Sequence, residues 1–399
     1  MRAPTRHAAR PLATILAALL LLAVAAPASA IDESRRRQAE DMIDRAIAFL
    51  RDQQHESGGW AVREDAPVFP GITALAVRGM LMQPEIDSDD PAVARAVDFM
   101  LSHAQASGGI YDRVLASYNT SICLSALALV EREDAAAAIK PAQDFLRSIQ
   151  WSSESIEHPE TGTVDESHPF YGGVGYGGSS RPDNSNLNKM LQGLKDSGLS
   201  SDDPAFQRAL TFLERTQMHD SINDMPYADG STQGGFIYAT SPSGDEPGAG
   251  ESKAGMITET TPDGRRIERL RAYGSMTYAG FKSYLFADLD RDDPRVQLAY
   301  DWIRRHYTLE ENPGMGMQGY YYYLLTFSRA LDAWGLPTIE IVAADGSTET
   351  RNWANDLVDQ LARQQNDDGS FRVEHPRWME SDPVLITSYS LLALQEAIR

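Results

Sequence analysis

The stretch AIAFLRDQQHESGGW, residues 46–60, joins one face of a helix to a glycine turn. Ala46 is followed at three residues by Phe49, then by Leu50, by Gln54 and by Gly58-Gly59-Trp60. The same unit returns as Ala96, Phe99, Met100, Gln105 with Gly108, Gly109 and Tyr111. Further copies are Ala142, Phe145, Leu146, Gln150 and Ala209, Phe212, Leu213, Gln217. In the fifth, Ala299, Trp302 and Ile303 are followed by Tyr307 where glutamine stood. A degraded sixth copy runs through Leu357, Gln360, Leu361, Gln365, Gly369, Ser370 and Phe371. Repetition at about 50 residues means one supersecondary unit stacked on its neighbours.

Between the copies lie segments richer in Ala, Leu, Thr and Tyr, so two kinds of helix alternate. The first kind is predicted near 34–54, 91–105, 135–150, 204–217, 294–307 and 352–365. Its partners are predicted near 71–82, 115–131, 183–197, 273–287, 317–334 and 384–398. Asp90-Pro91, Asp203-Pro204 and Asp293-Pro294 place a capping acid before a proline at the first helical position. Met42, Ile43, Ala46, Ile47, Phe49 and Leu50 then mark a one-sided amphipathic helix. The second kind is apolar nearly all round, as in Ile72 to Val77, Ile122 to Val130 and Leu391 to Leu394. Such helices are buried on several sides. The pattern predicts an all-α fold, an α/α toroid of six helical hairpins with an inner and an outer ring; an open solenoid is the rival.

Three stretches break the period: 151–182, 218–272 and 337–350. The second holds strand-like pieces, Gly235 to Thr240 and Ala254 to Thr260, with a turn at Pro262-Asp263-Gly264. The third reads as a hairpin of Thr338 to Ala343 and Ser347 to Thr350 around Asp345-Gly346. Insertions this long in a compact repeat are more often functional than connective, and a lid over the site is expected there.

Arg2, Arg6 and Arg10 precede an apolar run from Leu12 to Ala26 and the small-residue site Ala28-Ser29-Ala30. Residues 1–30 therefore read as a signal peptide cleaved after Ala30, with 31–399 as one secreted or periplasmic toroid domain; an uncleaved anchor is the rival. Removing the three leader arginines takes the formal charge from −21 to about −24. That charge repels nucleic acid and anionic headgroups and disfavours polyanions as partners. No later stretch is long and apolar enough to span a bilayer. Cys123 is the only cysteine, in an apolar run, and reads as a core thiol.

The unit from Gln54 to Gly59-Trp60 resembles the glutamine–tryptophan repeat of squalene and oxidosqualene cyclases, and the mature chain resembles the squalene-cyclase and prenyltransferase toroid superfamily. The resemblance implies a structural role for the unit, the glutamine satisfying open helix ends while the aromatic stacks over it. It leaves the activity open. Class II cyclases protonate an alkene with an Asp-x-Asp-Asp run, matched in letters by Asp290-Arg291-Asp292-Asp293 and by Asp87-Ser88-Asp89-Asp90. Ser200-Ser201-Asp202-Asp203 lacks only the first aspartate, and all three runs precede a proline and an outer helix, so they read as helix starts. The zinc site of protein prenyltransferases needs Asp, Cys and His; only Cys123 is available, with Ser121 where the aspartate is expected. The thioester run Cys-Gly-Glu-Gln of other toroids is absent. No metal and no cofactor is implied.

Polar residues at the starts of the inner helices remain: Tyr118-Asn119-Thr120, Asp183-Asn184-Ser185-Asn186, Tyr273 with Ser275, Thr277 and Tyr278, Tyr320 to Tyr323, and Thr387 with Tyr389. In a toroid these starts converge on one mouth. Tyr118, Asn119, Asp183, Asn184, Asn186, Tyr273, Thr277, Tyr320 and Tyr321 are the candidate ligand-binding residues; the bland reading makes them caps and core hydroxyls. The glycine-rich loop Tyr171 to Gly178 lacks the Lys-Ser/Thr of a phosphate loop and is expected to approach the cavity rim, flanked by His168 and Arg181 as candidates for an anionic group. Asn119-Thr120-Ser121 fits a glycosylation sequon but opens a buried helix. No catalytic residue is assigned. The expected function is binding, with or without transformation, of an isoprenoid-like ligand in the central cavity of a monomer. The alternatives are a secreted carbohydrate-active enzyme of lyase or hydrolase type with a glycan ligand, and a non-catalytic binding or envelope module.

Overall fold

The computed structural model describes residues 31–61, 67–154, 164–177, 180–261 and 263–399. The expected leader, Gly178 of the glycine loop and Pro262 of the turn lie outside the described residues. Among these residues six outer helices alternate with six inner ones. The outer helices are α1 (Glu33–Asp52), α3 (Pro91–Ser102), α5 (Glu133–Ser148), α7 (Pro204–Thr216), α9 (Pro294–Arg305) and α11 (Trp353–Ala362). The inner ones are α2 (Pro70–Leu81), α4 (Ala116–Leu127), α6 (Asn184–Asp196), α8 (Gly274–Phe286), α10 (Tyr320–Trp334) and α12 (Pro383–Ala397). Each inner helix packs on the next, and α12 packs on α2, so the ring closes; α1 also rests on α11 and α12. The closed toroid holds, and the open solenoid is excluded.

Local chemistry starts the outer helices as the aspartates suggest. Asp90 accepts from the backbone N–H of Ala92 at 2.9 Å, Asp203 from Ala205 at 2.9 Å and Asp293 from Arg295 at 2.9 Å. Each of these three carboxylates also meets an arginine, Arg51, Arg147 and Arg295 respectively. The three Asp-rich runs are therefore occupied as caps on the outside of the ring.

The repeated glutamines tie neighbouring repeats together. Gln54 donates to the carbonyls of Gly58 (2.7 Å) and of Ala92 (2.8 Å) in the first turn of α3. Gln150 makes the same pair of bonds to Gly172 and Ala205, Gln217 to Gly234 and Arg295, and Gln365 to Gly369 and Met42, which joins the last repeat to the first. In the fifth copy the Tyr307 hydroxyl reaches Asp356 of α11 at 2.8 Å and serves the same end. Gln105 departs from the pattern: it bonds only the carbonyls of His103 and Tyr111 in its own loop. The helix facing it, α5, carries Pro141 in its interior.

These bonds expose two copies of the glycine turn that spacing concealed. Gly172-Gly173 and Gly234-Gly235-Phe236 complete the third and fourth units, delayed by insertions after Gln150 and Gln217. Gly172 has φ +79°, and a Cβ there would stand 1.9 Å from the Arg208 carbonyl oxygen of α7. The glycine loop thus approaches an outer helix closely at Gly172, while Tyr176 further along it reaches the cavity rim as expected.

Two antiparallel hairpins complete the fold. Strand β1 (Met256–Thr260) pairs with β2 (Arg266–Leu270), and β3 (Thr338–Val342) with β4 (Thr348–Asn352). Gly235 to Thr240 forms no regular strand. Bends at Gly235, Tyr238 and Thr240 interrupt it, and it is held by single bridges, Phe236 to Gln217 and Ala239 to Glu251.

Candidate functional site

The N-terminal ends of inner helices converge on a cavity of about 310 Å³ at one mouth of the ring. Its wall carries Tyr118 from α4, Ser185 from α6, Tyr273 at the cap of α8, Ser275 and Met276 from α8, Tyr322 from α10 and Tyr389 from α12. Loops add Leu115, Tyr176, Tyr238, Gly319, Trp378, Met379 and Glu380. Six tyrosines, a tryptophan and two methionines make it aromatic and mostly apolar, with few polar groups, the usual make-up of a small-molecule site. Tyr176, Trp378 and Met379 are 40%, 43% and 45% exposed and form an apolar rim at the opening.

Hydroxyls on the wall are shared among themselves. The Tyr176 and Tyr238 hydroxyls stand 3.3 Å apart, and Tyr322 meets the Ser185 hydroxyl at 3.2 Å. Burial pushes the Tyr322 phenol up to about 12, so it presents an uncharged hydroxyl near neutral pH. Beneath these rings lies Lys189 of α6. Its Nζ is 5.1 Å from the Tyr322 ring centre and 5.7 Å from those of Tyr118 and Tyr389, a cage of three π faces. Burial, and then the positive charges of Arg329, Lys282 and Arg78, hold its amine well below the usual lysine range.

Glu380 is the one acid on the cavity wall among the described residues. Its oxygens accept from the backbone N–H of Tyr322 at 2.8 Å and Tyr321 at 3.3 Å, the open first turn of α10. Burial outweighs those bonds and raises the carboxyl to about 7.

Tyr118 and Tyr273 line the cavity as the sequence suggests, but the other candidates stand elsewhere. Asp183, Asn184 and Asn186 lie behind the wall and shape the start of α6. Asp183 caps it through the Asn186 N–H at 2.9 Å, Asn186 accepts from Ser117 at 2.9 Å, and Asn184 donates to the Ile237 carbonyl at 2.7 Å. Burial lifts the Asp183 carboxyl to about 6. Asn119 is spent on the Gly71 N–H and the Val114 carbonyl, which also leaves its buried amide unsuited to glycosylation.

Thr277 accepts from the Phe236 N–H at 3.0 Å, as Thr73 does from Trp60 and Thr120 from Ile110. This threonine is thus a repeated anchor between the glycine turn and the inner helix, not a ligand group. The Tyr320 and Tyr321 hydroxyls point outward to the carbonyls of Leu309 (2.6 Å) and Arg372 (2.5 Å). Consecutive helical residues face different ways, and only Tyr322 of the tyrosine run meets the cavity.

His168 stacks on Trp151 at 6.0 Å, and Arg181 pairs with Glu251 at 2.6 Å while its guanidinium lies over Tyr238 at 5.4 Å. Neither lines the cavity. Cys123 is buried, and burial raises its thiol above the usual range. Among the described residues no group of three or more His, Cys, Asp or Glu could hold a metal, and no helix is long and apolar enough to cross a membrane.

No protein-family model and no curated protein matches the sequence. Solved structures do match in fold. A type II terpene cyclase, MstE from Scytonema, is 13% identical over 92% of this chain and 99% of its own, with a TM-score of 0.51. An α-1,6-mannanase from Salegentibacter is 9% identical over 91% of this chain and 98% of its own, with a TM-score of 0.54. A glycosidase is 10% identical over 92% and 99% of the two chains, with a TM-score of 0.50. These likenesses show the α/α-toroid fold, one that carries terpene and glycan chemistry alike. They leave the activity to be argued from the site.

Proposed function

We propose that this chain is an exported toroid that binds an isoprenoid-like apolar ligand in its mouth cavity, with a hydroxyl or other hydrogen-bonding end group against Glu380. The observation that carries the reading is the cavity wall, six tyrosines with Trp378, Met276 and Met379 around a single carboxyl. Aromatic faces suit the double bonds and methyl branches of a prenyl chain, and a lone polar group fixes one end of it. The fold match to a terpene cyclase is compatible with such a ligand. A glycan hydrolase or lyase needs an open cleft with paired carboxylates or a metal, and the wall offers one carboxyl.

Binding is favoured over cyclisation. A carboxyl raised to about 7 is a weak acid, poorly matched to protonating an alkene, and the Asp290 to Asp293 run serves the outer ring. Export rests on the leader pattern of Arg2, Arg6, Arg10, the run Leu12 to Ala26 and Ala28-Ser29-Ala30. Fluorescence titration with farnesol and geranylgeraniol tests the ligand class, since Trp378 at the rim is the exposed tryptophan among the described residues. Saturable quenching that is lost in Trp378→Phe supports the reading. Saturation by mannotriose and none by either prenol overturns it.

A further inference from the structure

Lysine is scarce in this chain: Lys140, Lys189, Lys195, Lys253 and Lys282 are the five among its 36 lysines and arginines. Two of them, Lys189 and Lys282, are buried inside the ring. Arginine keeps its proton at any ordinary pH, whereas a buried lysine can shed its charge and become a nucleophile. The two buried lysines differ in what they meet. Lys282 Nζ donates to the Gln192 side-chain oxygen. Lys189 Nζ makes no hydrogen bond or ion pair among the described residues and faces the rings of Tyr118, Tyr322 and Tyr389.

Those three tyrosines are also wall residues of the mouth cavity, so the amine lies at its floor. Ser185, one turn before Lys189 on the same face of α6, lines the cavity as well. Helix side chains lean toward the N-terminus, and that end of α6 opens on the mouth, so the lean carries the amine toward the cavity. On its other side Lys189 lines a chamber of about 10 Å³ with Arg78, Gln192 and Arg329. That space is about one water in size and too small for a ligand, so a reactant reaches the amine from the mouth. Burial, and then the charges of Arg329, Lys282 and Arg78, disfavour the protonated amine and leave its lone pair available.

We propose that Lys189 captures an aldehyde-ended prenyl chain in the mouth cavity as an imine. The proposal rests on the reading of that cavity as a prenyl site and adds an aldehyde to its end groups. Nζ attacks the carbonyl carbon, and the C–N bond forms as the C=O π pair moves to oxygen. Both amine protons pass to that oxygen, which leaves as water while the C=N bond closes. No oxidant, reductant or further reactant is needed. An alcohol has no such chemistry and stays with Glu380; an aldehyde goes on to the amine.

Native mass spectrometry of the unaltered protein with dihydrofarnesal, a saturated prenyl aldehyde, tests the proposal. A single adduct is expected at the mass of the aldehyde less one water, suppressed by an excess of farnesol. Borohydride then fixes the imine as a secondary amine, and peptide mapping is expected to place it on Lys189. Lys189→Met should lose the adduct. Dihydrofarnesal held at its full mass, with no loss of water, overturns the proposal, and so does an adduct mapped elsewhere in place of Lys189. If farnesol still quenches Trp378 in that case, the imine alone fails and the prenyl reading of the mouth stands. If neither compound binds, both fall. Should Lys189→Met not fold, the peptide map of the unaltered chain decides.

Discussion

The outer and inner rings are built from equal numbers of helices, yet they carry different information. In the outer ring the same contacts recur: Gln54, Gln150, Gln217 and Gln365 each close a glycine turn and grip a neighbouring outer helix. In the inner ring only the threonine anchor recurs, at Thr73, Thr120 and Thr277. The residues facing the cavity and the axis differ from helix to helix. Repetition therefore marks what holds the toroid together, and departure from it marks where a ligand is met.

The sharpest way to break this division is at the glycine turn. Gly172→Ala forces a Cβ against the Arg208 carbonyl at a residue with φ +79°, and should destabilise by about 4 kcal/mol in urea unfolding. A cost under about 1 kcal/mol removes the claim that these turns lock the repeats.

The next effect belongs to the mouth. Glu380 is raised from an ordinary 4.5 to about 7 in the folded chain, so between those values the native state holds a proton that the unfolded chain releases. Stability conferred by that proton is present at low pH and is lost as pH rises to 7, on the order of 3 kcal/mol in all. Asp183, raised from 3.8 to about 6, adds a slope of the same sign over its own range. Unfolding of Glu380→Gln measured against pH should keep the slopes of Asp183 and of Asp332, which burial also raises to about 6, and should lose less stability between 6 and 7 than the unaltered protein does. An unchanged slope there refutes the assignment.

Smaller effects separate the ties from one another. Gln217→Ala leaves the carbonyls of Gly234 and Arg295 and the Tyr284 hydroxyl without their partner, and should destabilise by about 2 kcal/mol. Gln105→Ala removes bonds confined to an exposed loop and should stay within about 0.5 kcal/mol. Equal costs for the two in urea titrations contradict the distinction between tie and loop.

Legibility followed the same division. The six units and the three Asp-Pro starts of outer helices revealed the toroid because helix caps and amphipathic faces are local properties of sequence. Two glycine turns escaped because insertions moved them away from Gln150 and Gln217, and only hydrogen bonds join the halves. At the mouth, the clustering of inner-helix starts was readable, and it led to Tyr118 and Tyr273. It misplaced Tyr320 and Tyr321, since side-chain direction within a tyrosine run depends on helix phase. Glu380 comes from a loop with positive φ at Trp378 and Met379, which no pattern announces. Arg78, Lys189, Lys282 and Arg329 are buried cations within inner helices, and residues of this kind are rarely buried without partners.

The central claim is that the mouth cavity holds an apolar ligand. The most direct test is native mass spectrometry of the purified protein, followed by extraction and identification of the bound species. Met276→Trp, which fills the cavity, is measured alongside, with circular dichroism to confirm its fold. The account predicts a prenyl-type lipid on the unaltered protein and none on the variant. A bound oligosaccharide, or a lipid retained equally by folded Met276→Trp, would contradict it.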